Sequence, residues 1–285
     1  APSFTLLAYA AFVDTLRLAA DDGDRSRPIR CRWTVLSHDM QPIRASCGTA
    51  VLPDARFDDP RHVDYVVVVG GLLDATRPTA ELDAYVCLAA HRKIRLVGIC
   101  TGSFVLARLG LLQGHRCCIS WFHHGQFTDR YPHIPVTADT LYIADGDRLT
   151  CAGGTSVVHL ASYLVARHCG QVVASKALRI MIAQAPLPAL APQPQPPTGA
   201  ETDERRVRKA MLLMDRNLDK PLSSAFIARQ TGISVRQLER LFRREAGISP
   251  AAYGLRLRLQ RAQELLQTGT DSVYDIALQC GFVSH

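Results

Sequence analysis

Long apolar runs are missing from this sequence, and so is an amino-terminal leader of the secretory type. No stretch reaches the ~20 consecutive apolar residues that a membrane-spanning helix requires. Residues 4–13 are apolar, but they lack a basic flank and continue at once into Asp14 and Arg17. They predict a helix rather than a signal peptide. Both absences argue against a membrane-embedded or secreted protein.

Paired cysteine spacings are also lacking. The nine cysteines are scattered and odd in number, and their spacings fit neither a disulfide framework nor a zinc site. The adjacent Cys117 and Cys118 are expected to be buried filler, because neighbouring residues rarely reach disulfide geometry. His123 and His124 are too isolated to indicate a metal site. The sequence therefore predicts a cytoplasmic protein without metal or cofactor.

Positive charge is concentrated near the end of the chain. The formal net charge is +7. Between residues 221 and 267 there are eight arginines and only three acidic residues, Glu239, Glu245 and Glu264. Such a surface suits a polyanionic partner. A surface that is merely well solvated is the alternative that charge alone leaves open.

A proline-rich stretch divides the chain. Residues 186–198 read PLPALAPQPQPPT, which suits neither a helix nor a central strand and is too poor in bulky residues for a core. We therefore place an α/β domain at 1–185, a linker at 186–203 and a helical domain at 204–285.

Strand and helix signals alternate in the first domain. Strands are predicted at 33–37, Tyr65–Val69 and 94–99, and a helix is predicted at 79–92. The VVVV run has no polar alternation, which is typical of a strand that is buried on both faces of a parallel sheet. This pattern predicts an α/β sandwich.

Helix-turn-helix features appear after the linker. A helix is predicted to end at Gln230, Gly232 supplies the turn, and Ser234 with Gln237 forms the S-x-x-Q capping box of the next helix. That helix has an apolar face of Val235, Leu238, Leu241 and Phe242, opposite a basic stripe of Arg236, Arg240 and Arg243.

The basic stripe is the candidate surface for double-stranded DNA. A helix of this kind can lie in the major groove, where arginine pairs with guanine. Base contacts usually come from the N-terminal part of such a helix, so Arg236 and Gln237 are the predicted base readers, with Arg240 a further candidate. Arg243 and Arg244 are better placed for phosphates. A bundle hairpin with a solvated arginine stripe is the alternative.

The motif is repeated within the helical domain. IARQTGI at 227–233 is echoed by IALQCGF at 276–282, and a helix over about 251–267 would separate the copies by roughly 25 Å. RQLERLFR, the GISP turn and A-x-x-C-G-F resemble the DNA-binding domain of AraC-type regulators, from about Ala210 onward. The resemblance implies two reading helices. The second should begin where the sequence stops at His285, so the second motif is expected to be truncated.

Another candidate site surrounds Cys100. The stretch GICTGSFVLARLGLLQG places this cysteine on an elbow between an apolar strand and a helix that begins near Thr101. A helix N-terminus favours a thiolate. Gly70 and Gly71 would bring backbone N–H groups to the same sheet edge, where ligands of parallel α/β sheets collect. A cysteine packed under the helix is the alternative.

The first domain is similar to the PfpI-like branch of the class I glutamine amidotransferase-like fold, a flavodoxin-like α/β sandwich. More narrowly it resembles GlxA-like regulators, which join this domain to AraC-type reading heads. The resemblance rests on SFTLLAYAAFVDTLRLA, RWTVLS, VVVVGG, the elbow, Trp121 and LTCAGGTSVVHL. It implies that Asp14 hydrogen-bonds to Cys100, although a plain helix residue would face water. It also implies a strand before the first helix, which a chain starting near Phe4 would lack.

Catalysis is not expected. The proteolytic branch carries His directly after the nucleophile, where this chain has Thr101, and Ser120 stands where GlxA-like relatives commonly have His. Neither hydroxyl can act as the base that a cysteine nucleophile needs. The candidate residues of a ligand pocket are Cys100, Asp14, Gly71, Thr101 and Trp121.

These features together predict a transcription activator that binds promoter DNA, responds to a small metabolite and forms a homodimer through its first domain. The resemblance implies an amino acid or a quaternary amine as effector, to which Trp121 would offer a cation–π face. The alternative is a Cys-dependent PfpI-like hydrolase or glyoxalase-like enzyme with an accessory basic domain. Saturable binding without turnover would favour the sensor.

Overall fold

The computed structural model describes residues 1–73, 79–183, 185–193, 202, 204–215, 217–268 and 271–282. The chain forms two compact units, Ala1–Gln193 and Pro194–His285. The first unit extends eight residues past the predicted domain boundary at 185, because Ala189 and Gln193 hydrogen-bond to the α/β part of the chain.

The first unit alternates short and long elements. Its strands are β1 (Leu36–Ser37), β2 (Ile43–Arg44), β3 (Ala50–Val51), β4 (Ala55–Arg56), β5 (Tyr65–Val69), β6 (Arg95–Ile99), β7 (Cys117–Cys118), β8 (Val136–Thr137), β9 (Tyr142–Asp145) and β10 (Arg148–Cys151). Its helices are α1 (Leu6–Ala19), α2 (Ala80–His91), α3 (Gly102–Arg108), α4 (His124–Arg130), α5 (Ser156–Cys169) and α6 (Gln171–Ile180). Two 3-10 turns are formed by Pro60–His62 and Trp121–His123.

A four-stranded sheet in the order β5-β6-β10-β9 organises this unit. Strands β5, β6 and β10 are parallel, and β9 pairs antiparallel with β10. The sheet is therefore mixed rather than wholly parallel. The three parallel strands end together at Val69, Ile99 and Cys151, and this carboxyl edge carries the elbow of Cys100.

Helices cover both faces of the sheet. On one face, residues of α1, α5 and α6 form an apolar cluster with Val97, Ile99 and Cys151. On the other face, α2 and α3 pack with Val66 and Val68. The predicted α/β sandwich is confirmed, and the VVVV strand has apolar neighbours on both faces.

The strand predicted at 33–37 is wrong in extent, since only Leu36 and Ser37 form β1. The Asp54 carboxylate accepts a hydrogen bond from the Val35 N–H at 2.7 Å, and the Asp54 N–H donates to the Val35 carbonyl at the same distance. These bonds hold the strand against β4, with which it pairs in parallel outside the main sheet.

The second unit contains helices and no strand among the residues that the structure describes. Its helices are α7 (Arg205–Asp215), α8 (Ser224–Thr231), α9 (Val235–Ala246), α10 (Pro250–Thr268) and α11 (Val273–Gln279). A separate apolar core holds α7 to α10 together around Met211, Ile227, Leu238 and Phe242. The all-helical prediction is confirmed.

The predicted repeat is visible in the backbone of the second unit. Gly232 follows α8 with a φ of 72°, and Gly281 follows α11 with a φ of 69°, a region that glycine enters without steric cost. Ile227 in α8 and Ile276 in α11, the helices that lead into these two turns, are both buried. The same pair of turn hydrogen bonds recurs 49 residues apart: Gly232 N–H to Arg229 O and Ile233 N–H to Ala228 O, then Gly281 N–H to Leu278 O and Phe282 N–H to Ala277 O.

Candidate nucleic-acid interface and sensor site

Helix α9 begins with a closed cap. The Ser234 hydroxyl oxygen accepts the Gln237 N–H at 3.2 Å, while Gln237 Oε1 accepts the Ser234 N–H at 3.0 Å. The predicted capping box is confirmed. Because the cap satisfies donors that the first turn leaves without intrahelical partners, it fixes where α9 starts.

One face of α9 is held by the core. Leu238, Leu241 and Phe242 are buried as predicted. Val235 is 42% exposed, so this member of the predicted apolar face is not buried with the other three. Val235 is the first residue of α9, directly after the turn, so its side chain lies ahead of the packed part of the helix.

The opposite face carries Arg236, Arg240 and Arg243, all of them exposed. Their positions differ by four and three residues, so they form one stripe along the helix. Within the described parts of the chain, none of the three has a carboxylate within ion-pair distance. Three guanidinium groups are therefore available to an external anion.

Gln237 has a structural partner that limits its predicted reading role. Its Oε1 atom accepts from both the N–H and the hydroxyl of Ser234. A glutamine that reads adenine bidentately needs its oxygen and its NH₂ group together. With the capping box intact, Gln237 cannot make that pair.

Arg244 is engaged by carboxylates. The Arg244 Nε donates to Glu245 Oε1 at 2.7 Å, and its terminal nitrogen Nη2 lies 3.7 Å from Glu204 Oε2. Two nearby negative charges offset its own positive charge, although its side chain is 61% exposed. The predicted phosphate contact by Arg244 is therefore weakened, since the residue must first give up these pairs.

The elbow at Cys100 has a constrained backbone. Cys100 adopts a φ of 56°, a region that non-glycine residues rarely occupy. Its N–H donates to the Cys151 carbonyl at 3.0 Å, and α3 begins two residues later with Thr101 at its N-cap. The cysteine therefore sits between the end of β6 and the start of α3.

The Cys100 thiol is sheltered by its neighbours. Its Sγ lies 3.7 Å from the Thr5 hydroxyl, and a Cβ added to Gly153 would lie 2.8 Å from Cys100 Cβ. Burial raises the pKa of the Cys100 thiol, more than the Thr5 hydroxyl and the Thr101 backbone lower it. The direction of this pKa shift runs against the predicted thiolate, because loss of hydration outweighs the helix N-terminus.

Asp14 does not contact the elbow as the resemblance implied. The hydrogen bonds of the described chain give Asp14 one side-chain partner, Arg17 at 2.8 Å, and its side chain is 50% exposed. The part of α1 that reaches Cys100 is its N-cap, Thr5. Asp14 lies nine residues further on, about 13 Å along the helix axis.

Gly71 and Thr101 close the floor of the elbow rather than line an open space. Thr101 Oγ1 donates to the Gly71 carbonyl at 2.8 Å. Thr101 is buried, and a Cβ at Gly71 would lie 1.8 Å from the Ser3 carbonyl oxygen. These two residues support the edge on which Cys100 sits.

Trp121 begins the 3-10 turn at the carboxyl edge of the sheet. Ser120 caps this turn, and the Trp121 ring meets that of Phe122 edge-on at 5.9 Å between centroids. The Trp121 N–H donates to the side chain of Gln193 at 2.9 Å. Gln193 was missed by the sequence reasoning. The sequence offers no signal that singles it out, because Gln195 also stands between two prolines.

A cavity of about 1000 Å³ lies elsewhere in the first unit, along β5. Its walls include Phe12, Leu36, Ala55 and Tyr65. The residues around it do not include Cys100, Asp14, Gly71, Thr101 or Trp121.

The described residues contain no group of three or more His, Cys, Asp or Glu side chains arranged to hold a metal ion. Among them, no helix combines the length and apolar character needed to cross a membrane.

Known proteins resemble both units. Residues 227–285 match the family described as helix-turn-helix domain, and residues 24–167 match the DJ-1/PfpI family. The HTH-type transcriptional regulator GbdR of Pseudomonas aeruginosa is 32% identical over 283 residues, covering 99% of this chain and 76% of that protein. GlxA of Rhizobium meliloti, also an HTH-type transcriptional regulator, is 29% identical over 99% of this chain and 86% of its own.

A crystal structure of an AraC family transcriptional regulator from Pseudomonas putida shares the fold, with a TM-score of 0.55 at 24% identity. It covers 63% of this chain and 95% of that one. An α/β sandwich and an AraC-type helix-turn-helix domain on one chain define a DNA-binding transcription regulator. The chain belongs to the DJ-1/PfpI family, among its GlxA-like, AraC-type regulators.

Proposed function

We propose that the first unit binds a small-molecule effector without converting it, and that the second unit reads promoter DNA in response. The observation that carries the first part is the state of Cys100. Among the described residues, the side-chain hydrogen-bond partner of its thiol is the Thr5 hydroxyl, and burial raises the pKa of the thiol. A nucleophilic cysteine requires the opposite, a base nearby and a lowered pKa.

For DNA, the proposal assigns base contacts to Arg236 and Arg240 and a phosphate contact to Arg243. Arg236 stands nearest the N-terminus of α9, which is the part of a recognition helix that usually meets base edges. Gln237 and Arg244 receive supporting roles, because their polar atoms are already engaged within the protein.

For the effector, the proposal places binding at the carboxyl edge of the sheet, between Cys100 and Trp121. Ligands of α/β proteins collect at such edges. Phe122 is strongly exposed beside Trp121, and exposed aromatic faces suit a cationic ligand. An amino acid or a quaternary amine is the effector class we favour. We place the protein in the cytoplasm, because promoter DNA is its proposed target. We propose that it acts there as an activator.

A homodimer through the first unit is the assembly that we propose. Val172, Ile180 and Ile182 are exposed on or just after α6. Exposed apolar surface marks protein interfaces, and we propose that these three side chains belong to one. Sedimentation equilibrium of the full chain should give twice the chain mass.

The enzyme alternative is tested on the full chain with the twenty L-amino acids and choline as ligand probes and with methylglyoxal as substrate. Calorimetry should show saturable binding of at least one probe, unchanged in mass after incubation. Methylglyoxal should not be consumed faster than in buffer. Turnover that disappears in Cys100→Ala would overturn the sensor proposal in favour of the enzyme.

A further inference from the structure

Thr202 and Glu204, which we call the arm, precede α7 and lie against the last turn of α9. Thr202 is only 6% exposed, and its hydroxyl donates to Glu245 Oε2 at 2.8 Å. The same hydroxyl oxygen accepts the Glu204 N–H at 3.1 Å. One side chain therefore joins the arm to the end of α9, 43 residues further along the chain.

Charged groups reinforce this attachment. The Glu204 carboxylate lies 3.7 Å from Arg244, and the buried Arg208 donates from Nη2 to the Thr202 carbonyl at 2.6 Å. The Thr202 hydroxyl and Arg244 hold the pKa of the Glu245 carboxyl below its usual value. The carboxylate that the arm meets is therefore charged at neutral pH, and a hydrogen bond to a charged acceptor is stronger than one to a neutral acceptor.

The apolar core holds the middle of α9, where Leu238, Leu241 and Phe242 are its buried residues. Arg236 lies five residues before Leu241, about 7.5 Å along the helix axis. A tilt of the helix by about 10° around Leu241 would displace Arg236 by about 1.3 Å. Because hydrogen-bond lengths span only about 0.5 Å, such a displacement breaks a bond to a base edge. What holds the last turn of α9 therefore bears on base contacts at its first turn.

Phosphate contacts are less sensitive to such a tilt. The attraction between a guanidinium and a phosphate varies with the inverse of their distance, so it changes little over about 1 Å. Bidentate pairing with a base requires a fixed geometry. A loosened α9 would thus keep its affinity for DNA of any sequence and lose its preference for one sequence.

We propose that Thr202 is a positioning residue for the sequence specificity of DNA binding, because its hydroxyl, bonded to Glu245, sets the tilt at which α9 presents Arg236 to base edges. The proposal rests on the proposed function above, in which α9 reads DNA. All of these residues belong to the second unit. The arm holds one end of the helix, and the other end keeps the placement that base contacts require.

The test uses the full chain, an operator duplex selected by it from random sequence, and a scrambled duplex of the same length. Thr202→Val keeps the shape of the side chain but removes the hydroxyl. Operator affinity should fall about fivefold, as for the loss of one hydrogen bond, while affinity for the scrambled duplex should stay within about twofold. Thr202→Ser keeps the hydroxyl, so its operator affinity should stay within about twofold of the wild type.

A second measurement needs no variant and covers a Thr202→Val chain that does not fold. Linkage is reciprocal, so if the attached arm favours the operator, the operator must favour the attached arm. Amide hydrogen exchange at Glu204, whose N–H is held by the Thr202 hydroxyl, should slow several-fold on the operator. On the scrambled duplex it should change less than about twofold.

Three results would overturn the positioning role. The first is a folded Thr202→Val that binds both duplexes as the wild type does, or loses affinity for both by the same factor. The second is a Thr202→Ser that loses as much specificity as Thr202→Val, and the third is equal Glu204 exchange on the two duplexes.

Arg236→Ala, titrated in parallel, distinguishes this failure from failure of the proposed function. If Arg236→Ala keeps the wild-type preference for the operator, α9 is not the reader and the proposed function fails. If Arg236→Ala loses that preference and Thr202→Val keeps it, α9 reads DNA and only the positioning role of Thr202 is overturned.

Discussion

Gln237 and Ser234 hydrogen-bond to each other in both directions at the start of α9, N–H to side-chain oxygen each way. The pair commits one of the two predicted base readers to the architecture of the helix. It also holds Arg236, which lies between them in sequence, at a fixed place on the first turn. Stability and DNA reading can therefore be separated by substitutions at neighbouring positions.

The cap itself is expected to contribute to stability. Ser234→Ala removes the hydroxyl that accepts the Gln237 N–H and should lower the free energy of unfolding by about 1 kcal/mol. Ser234→Gly should cost only a few tenths, roughly 0.3 kcal/mol, because glycine is tolerated at N-caps. Urea denaturation of both variants measures the difference. Equal losses would mean that the hydroxyl is not the stabilising group.

Base reading should depend on Arg236 more than on Gln237. Arg236→Ala is expected to weaken binding to the preferred operator by about 1 to 3 kcal/mol and to relax preference at one base pair. Gln237→Ala should leave the order of preferred bases unchanged, because its oxygen is committed to the cap. Titrations against operators substituted at single positions test both. A uniform loss across all operators in Arg236→Ala would assign this residue to the phosphates.

Salt dependence should separate Arg243 from Arg244. Arg243 is exposed and forms no ion pair within the described residues, so Arg243→Ala should lower the slope of log affinity against log salt by about 0.9. Arg244 is paired with Glu245 and Glu204, so Arg244→Ala should change the slope by less than half as much. Slopes that rank the other way would place Arg244 on the DNA.

The Cys100 thiol should react slowly, with Cys47 as an internal standard. Burial raises the pKa of Cys100, whereas hydrogen bonds to the Thr49 backbone lower the pKa of the exposed Cys47. Iodoacetamide at pH 7 should therefore modify Cys47 first, and the Cys100 rate should keep rising above pH 9. Mass spectrometry from pH 6 to 10 follows both peptides.

The same shift has a stability consequence of known sign. Because the folded-state pKa of Cys100 is raised, its contribution to stability is present below the unfolded pKa and is lost as pH rises through the folded pKa. In the alkylation experiment, modification of Cys100 as fast as Cys47 at pH 7 would contradict a raised pKa of the Cys100 thiol.

The close approach of Gly153 to the elbow gives a packing prediction. At Gly153 a Cβ would lie 2.8 Å from Cys100 Cβ, whereas at Gly154 it would meet nothing within 4 Å. Both glycines have positive φ, so alanine is strained at either position. Gly153→Ala should cost roughly 1 to 3 kcal/mol more than Gly154→Ala, the usual range for overpacking. Thermal unfolding of the two variants decides this.

Features governed by local chain chemistry were predictable from the sequence. The capping box, the turn at Gly232, the repeat at Gly281 and the buried VVVV strand each follow from a few adjacent residues. The basic stripe of α9 also follows, because helical spacing alone puts its arginines on one face.

Features that depend on distant partners were not predictable. The pairing of Arg244 with Glu204 joins residues 40 positions apart, and the burial of Gln193 depends on Ile119 and Thr140 in other parts of the chain. The direction of the Cys100 pKa shift was not predictable for the same reason, since desolvation by tertiary packing outweighs a local helix end.

The 19 residues of α10 make a helix about 28 Å long, which joins the first helix-turn-helix motif to α11. A continuous helix fixes the rotation of its two ends relative to each other as well as the distance between them. Deleting one residue within α10 would bring its two ends about 1.5 Å closer and rotate α11 by about 100° around the axis of α10. Inserting seven residues would nearly restore the original rotation, about 20° away, but would lengthen α10 by some 10 Å. The number of residues in α10 therefore sets the rotation of α11 around the α10 axis, which constrains the second unit independently of any side chain.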